Sequence, residues 1–159
     1  MSLALGEPVQ RTVCFGLPGF VIYLGSNPTP SVRPPVHYDR PFRVLDWTQY
    51  YERVDFGSAL SLTLPVSLPT SAGAGLYWWD LTRQEAIRRG LCPSYGYPPM
   101  SVFKRLPRHL HPYRIGRASF HSADLPHQAA FPEEFPEGEE RITVQVHSLV
   151  CDGTRRIYF

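Results

Sequence analysis

The sequence predicts a β-rich α+β fold: a small antiparallel sheet or set of hairpins, two short helices, and long Pro-rich irregular arms. Three observations carry that expectation. Residues 58–68, SALSLTLPVSL, alternate strictly between apolar and small polar side chains. An Asp-Gly pair, Asp152-Gly153, separates two strand-like runs at the C-terminal end. Pro occurs 17 times in 159 residues, about twice the usual share, and each Pro removes a backbone donor and fixes φ, which interrupts helices and central strands.

Residues 12–24, TVCFGLPGFVIYL, read as two apolar runs around the turn Leu17-Pro18-Gly19. In the run 58–68, Leu60, Leu62, Leu64, Val66 and Leu68 share one face and Ser61, Thr63, Pro65 and Ser67 the other. A half-buried strand has this pattern, with the leucine side expected inward and Pro65 at a sheet edge or bulge. Ile142, Val144 and Val146 alternate before the Asp152-Gly153 turn, and the chain returns through Ile157 to Phe159. Asp-Gly between such runs predicts a tight hairpin. Asp46-Trp47-Thr48-Gln49 and Thr82-Arg83-Gln84-Glu85 place a polar cap three residues before Gln or Glu. They predict helices over about 47–54 and 83–89, the second stopped by Gly90. The arms, residues 26–41 and 91–136, lack a periodic run and are expected to be extended parts of one domain, 1–159.

At 43% hydrophobic and 19% charged, with a net charge of +2, the chain has the composition of a folded domain. Its total charge points to no particular partner. Cys14, Cys92 and Cys151 are odd in number and in no CxxC arrangement, which suggests a reducing compartment. The first ten residues lack the features of a secretory signal, and no apolar run approaches the roughly 18 residues of a membrane span. The expected setting is therefore intracellular, cytoplasmic or organellar.

The segment FKRLPRHLHPYRIGR, residues 103–117, stands out. No acidic residue occurs over the 38 residues 86–123, while Arg88, Arg89, Lys104, Arg105, Arg108, Arg114 and Arg117 carry seven of the sixteen basic charges. His109, His111 and Tyr113 lie among them. Arg with aromatic rings suits either an acidic protein surface or RNA. Five potential metal ligands, His109, His111, His121, Asp124 and His127, fall within residues 109–127. Zn²⁺ accepts such ligands, but HExxH and Cys-pair spacings are absent. A nucleophile elbow, a papain-like Cys and a phosphate-binding Gly loop are absent too. The acidic run Glu133, Glu134, Glu137, Glu139 and Glu140 reads as a solvated loop rather than paired catalytic carboxylates.

These readings predict a non-enzymatic structural component of a large intracellular assembly, without cofactor, metal or catalytic residues. It would contact protein neighbours, and possible RNA, through Arg88, Arg89, Lys104, Arg105, Arg108, His109, His111, Tyr113, Arg114 and Arg117. An RNA-binding, ribosomal-type subunit using residues 88–117 is the alternative, and a zinc-dependent hydrolase built on His109, His111, His121 or His127 is a third reading.

Overall fold

The computed structural model describes residues 5–12, 19–25, 35–70, 74–93, 96–131 and 136–159. Two sheets carry the chain. The larger contains β1 (Val9–Arg11), β2 (Gly19–Leu24), β3 (Val54–Ser67), β6 (Ser119–Ser122), β8 (Glu140–Cys151) and β9 (Thr154–Tyr158). Its order is β1-β9-β8-β3-β6, with β2 also paired to β8. The smaller is β5 (Arg108–Pro112), β4 (Gly75–Trp79) and β7 (His127–Ala130), in the order β5-β4-β7. All pairings are antiparallel except β1 with β9. The β-rich α+β class read from the sequence is the class observed. No helix among the described residues is long and apolar enough to cross a membrane.

The C-terminal hairpin forms where Asp-Gly predicts it. Asp152 and Gly153 both take positive φ, 49° and 75°, the conformation that matches a two-residue turn to the twist of its strands. The Asp152 carboxylate then accepts from the amide of Arg53 at 2.8 Å, tying the turn to the start of β3. Helix α1 (Arg83–Arg88) begins with Thr82 accepting from the amide of Glu85 at 3.2 Å and ends before Gly90, whose φ is 69°. The helix expected over 47–54 is shorter. Asp46 caps one 3-10 turn, Trp47–Gln49, and the chain leaves it at Tyr50 because Val54 is already paired with Cys151.

Residues 91–136 contain more regular structure than their sequence suggests: helix α2 (Met100–Phe103) and strands β5, β6 and β7. Each spans only four or five residues, too few to display a period, and each is fixed by a longer neighbour. Gly75 shows how tightly β4 and β5 approach, since a Cβ there would run into the carbonyl of His111.

β3 corrects the expectation about its faces. Ala59, Ser61, Thr63 and Pro65 are the buried side chains, while Leu60, Leu62 and Leu64 are only partly covered and Val66 is exposed. Pro65 sits at the bulge expected of it, beside the register shift between Pro65 and Ser67, and its carbonyl accepts from Gly116 at 3.1 Å. The apolar packing lies elsewhere. Phe42, Trp47, Ala59, Ala123, Leu149, Cys151 and Tyr158 form one core cluster. Val36, Trp79, Leu81, Ala86, Cys92 and Phe103 form another. Sequence from both sheets thus leaves a polar interior between them.

Candidate metal centre

That interior is built from backbone pairing. His37 and His127 exchange reciprocal amide-to-carbonyl hydrogen bonds of 3.0 and 2.9 Å across an isolated antiparallel bridge. Residues opposed in this way place their side chains on the same face. Asp39, two residues beyond His37 in extended chain, returns to that face. Val36 and Tyr38 point the other way: Val36 enters the second core cluster, and Tyr38 is buried and stacked on Tyr97. The His37, Asp39 and His127 ligand atoms consequently lie within 4.8 Å of one another.

The hydrogen bonds around the imidazoles fix which nitrogen faces inward. His37 Nδ1 donates to the Pro35 carbonyl at 2.9 Å and His127 Nδ1 to the Leu125 carbonyl at 3.0 Å. Each ring therefore turns Nε2 toward Asp39, at 3.6 Å for His37 and 3.2 Å for His127. Backbone partners of this kind orient metal-binding imidazoles. Two imidazoles and one carboxylate, close together and held from behind, suit a divalent transition metal.

Two further histidines flank the cluster. His121 on β6 donates from Nδ1 to the Ser122 carbonyl at 3.1 Å and presents Nε2 to Asp39 at 3.9 Å. His147 on β8 shares a 3.1 Å hydrogen bond with Ser61. Burial, followed by the proximity of His127, pushes the His121 pKa down to about 4, and burial lowers His147 as well. Burial alone would raise the Asp39 carboxyl. The hydrogen bond and charge of His127, helped by His147 and Ser61, outweigh it and hold the carboxyl well below the usual range. Burial likewise opposes protonation of His127, but its bond to Asp39 wins and raises its pKa. Asp39 and His127 thus each stabilise the other's charged form.

Deeper along β8 lies a buried cation. Arg141 is almost fully covered, and its guanidinium carbon stands 5.2–5.3 Å from the ring centroids of Tyr23, Tyr113 and Phe131. Its guanidinium reaches the Gly75 carbonyl at 3.5 Å, a long contact. Its Nε has no hydrogen-bond partner, nor does the neighbouring Thr143 Oγ1. Among the described residues no carboxylate pairs with Arg141. Tyr113 feels both this cation and the cluster: burial raises its pKa most, Thr63 and Arg141 lower it, and Asp39 raises it.

The basic segment lies apart from this interior. Arg88, Arg89, Lys104, Arg105, Arg108, His109, His111, Arg114 and Arg117 are exposed, and Tyr113 alone is buried. Arg89 pairs with Glu85, Arg108 covers the Tyr77 ring at 4.0 Å, and His109 stacks on Trp78 at 4.3 Å. His111 bonds Ser119 at 2.8 Å. The four-histidine zinc set is therefore not assembled, because His109 and His111 stand on the exposed strand β5 while His121 and His127 meet at the cluster. His37, Asp39 and Arg141 carry the site and were not singled out from the sequence. The available signal was the spacing His37-x-Asp39, which in extended chain puts both side chains on one face.

No family model and no curated protein matches the chain. Among solved structures it is similar to an N-substituted L-amino acid dioxygenase from Burkholderia ambifaria, with a TM-score of 0.56 at 15% identity over 90% of this chain and 52% of that one. It is similarly related to that enzyme in complex with alpha-KG, with a TM-score of 0.56 at 15% identity over 96% and 58%. The chain thus spans a little over half the length of the structures it matches. At 15% identity the likeness is one of fold. Together with the interior His-Asp-His cluster, this overturns the expectation of a non-enzymatic assembly component and the RNA-binding alternative. Those readings weighed Pro-rich segments and missing motifs, and neither quantity registers ligands that meet only through long-range pairing.

Proposed function

We propose that the chain is a non-haem metal-dependent oxygenase that uses a 2-oxo dicarboxylic acid, such as alpha-KG, as co-substrate. The convergence of His37, Asp39 and His127 is the observation that carries this reading, since two histidines and a carboxylate with open positions are the ligand set of non-haem Fe(II) oxygenases. A ferrous ion there would supply activation of molecular oxygen. The donors fit it: Nε2 of His37 and of His127 face inward, and Asp39 is held ionised.

The remaining residues have roles that follow from their positions. Arg141 offers a buried positive charge with an unused donor to the distal carboxylate of a dicarboxylic acid, and Thr143 offers a hydroxyl beside it. Tyr23, Tyr113 and Phe131 wall this cation off from water, which strengthens its hold on an anion. Tyr113 feels both Arg141 and Asp39, which supports reading the cation and the cluster as parts of one site. The similarity to a dioxygenase seen with alpha-KG supports the same reading.

Anaerobic titration of the purified chain with Fe(II), then with 2-oxoglutarate, tests it. One metal per chain and a new visible absorption band on adding the 2-oxo acid are expected. Asp39→Ala and His37→Ala should each lose the metal. A wild-type chain that binds no divalent metal, or binds it equally well without Asp39, would refute the proposal.

A further inference from the structure

Three side chains of the larger sheet line up beside the cluster. Ser61 of β3 is paired with His121 of β6 on one side and with His147 of β8 on the other. Paired residues share a face, so His121, Ser61 and His147 form one row across three strands. The row faces Asp39: His121 Nε2 stands 3.9 Å from its carboxylate, and the Ser61 side chain hydrogen-bonds it. Ser61 is 2% exposed, and its Oγ lies 3.1 Å from His147 Nδ1. A small side chain at the centre of the row leaves room for Asp39, which enters from the segment that His37 bridges to β7.

Counting protons orders these contacts. An ionised carboxylate only accepts hydrogen bonds, and a serine hydroxyl has one proton to give. Asp39 is held ionised, so the Ser61 proton goes to it. Ser61 can then only accept from His147, which places the His147 proton on Nδ1. We propose that Ser61 is a positioning residue for the metal ligand Asp39, donating to its carboxylate while His147 donates to Ser61. His147 orients the hydroxyl, and the hydroxyl holds the carboxylate in one orientation. The inference rests on the metal-dependent reading of the cluster and completes its support. The Pro35 and Leu125 carbonyls hold the two imidazole ligands from behind, and Ser61 does the same for the carboxylate. Outer partners of this kind tune metal affinity. A hydrogen bond to an ionised group is also stronger in a buried site than in water.

Anaerobic Fe(II) titration of the full chain tests the proposal, with Ser61→Ala, which removes only the hydroxyl, and Ser61→Thr, which keeps it. Ser61→Ala should bind Fe(II) about 10–100-fold more weakly than wild type, the loss typical of removing an outer partner of a ligand. Ser61→Thr should recover most of that loss, which a purely structural role for the small side chain does not predict. Circular dichroism unchanged from wild type marks a folded variant. If Ser61→Thr does not fold, the visible band of metal-saturated Ser61→Ala with 2-oxoglutarate carries the measurement, and it should be displaced from the wild-type position. Ser61→Ala binding as tightly as wild type, a folded Ser61→Thr as weak as Ser61→Ala, or, in the second measurement, an undisplaced band overturns the proposal. A wild-type chain that binds no Fe(II) overturns the metal-dependent reading with it, whereas tight wild-type binding untouched by Ser61→Ala overturns this inference alone.

Discussion

Replacing Arg141 by Met separates a ligand-binding cation from a structural one. The wild-type guanidinium is buried against three aromatic rings with an unpartnered Nε and no pairing carboxylate among the described residues. A bound dicarboxylate would pair with this cation. Truncating one partner of a buried charge pair costs about 2–5 kcal/mol, roughly 30-fold to several thousand-fold in affinity. At a ligand concentration of 100 Kd the wild type gains about 2.7 kcal/mol. For 159 residues the unfolding entropy is about 0.33 kcal/mol/K, so that gain raises Tm by about 8 °C. Arg141→Met at the same concentration retains about 0.9 kcal/mol at the lower limit, a shift of about 3 °C, and almost nothing at the upper. Without ligand the variant should melt at or above the wild-type temperature, because an apolar chain of similar volume replaces a buried guanidinium that no carboxylate among the described residues pairs with. Scanning calorimetry of metal-loaded protein with and without 2-oxoglutarate measures both quantities. A variant that keeps the full shift would show that Arg141 does not hold the carboxylate. One that loses several degrees without ligand would show that the cation is a structural clasp.

Two further outcomes follow from the buried clusters. His121 has a folded-state pKa of about 4, below its ordinary 6.5, so between those values the unfolded chain binds more protons. Stability of the metal-free protein should therefore fall as pH drops from about 6.5 toward about 4, with His121 contributing up to about 3 kcal/mol of the loss. Urea midpoints measured across that window should decline less steeply in His121→Leu, and equal slopes would remove His121 as a source. Trp47 is fully buried, donates from Nε1 to the Phe42 carbonyl at 2.8 Å and meets Tyr158 edge-on at 5.0 Å. Trp47→Ala should lower unfolding free energy by about 3–5 kcal/mol while the folded variant still binds metal. A loss below about 1 kcal/mol would contradict its place in the core.

Local features of the chain were readable where local chemistry decides them. The Asp152-Gly153 turn, the Thr82 cap and the Gly90 stop each depend on a few adjacent residues, and each forms as its residues predict. The helix after Asp46 was overestimated because its cap is real, but pairing of Val54 with Cys151 limits it. The short strands β5, β6 and β7 exist through their partners and leave no period of their own. The site was least readable. His37 and His127 are far apart in sequence and meet through one bridge, and Arg141 stands alone in a strand whose alternation looked like ordinary packing. The basic segment drew attention because its charges are contiguous, yet contiguous charge marks a solvated surface more often than a buried centre.

The inverted faces of β3 bring these results together. A strand with Leu60, Leu62 and Leu64 on one side and Ser61, Thr63 and Pro65 on the other would bury its leucines if core packing alone set its orientation. Here the opposite side is inward, and what it meets explains why. Ser61 bonds His147 and acts on Asp39, and Thr63 acts on Tyr113 beside Arg141. Small hydroxyl side chains leave room between the sheets and satisfy buried polar groups that leucine would strand. Turning the strand over would push leucines against the Asp39–His127 pair and a buried guanidinium, and it would also displace the ladder partners that carry His121 and His147. The polar side is held inward by the centre it serves, which leaves the leucine side only partly covered. One orientation thus accounts for both the polar interior site and the partly covered leucines, and the two are linked through the same strand.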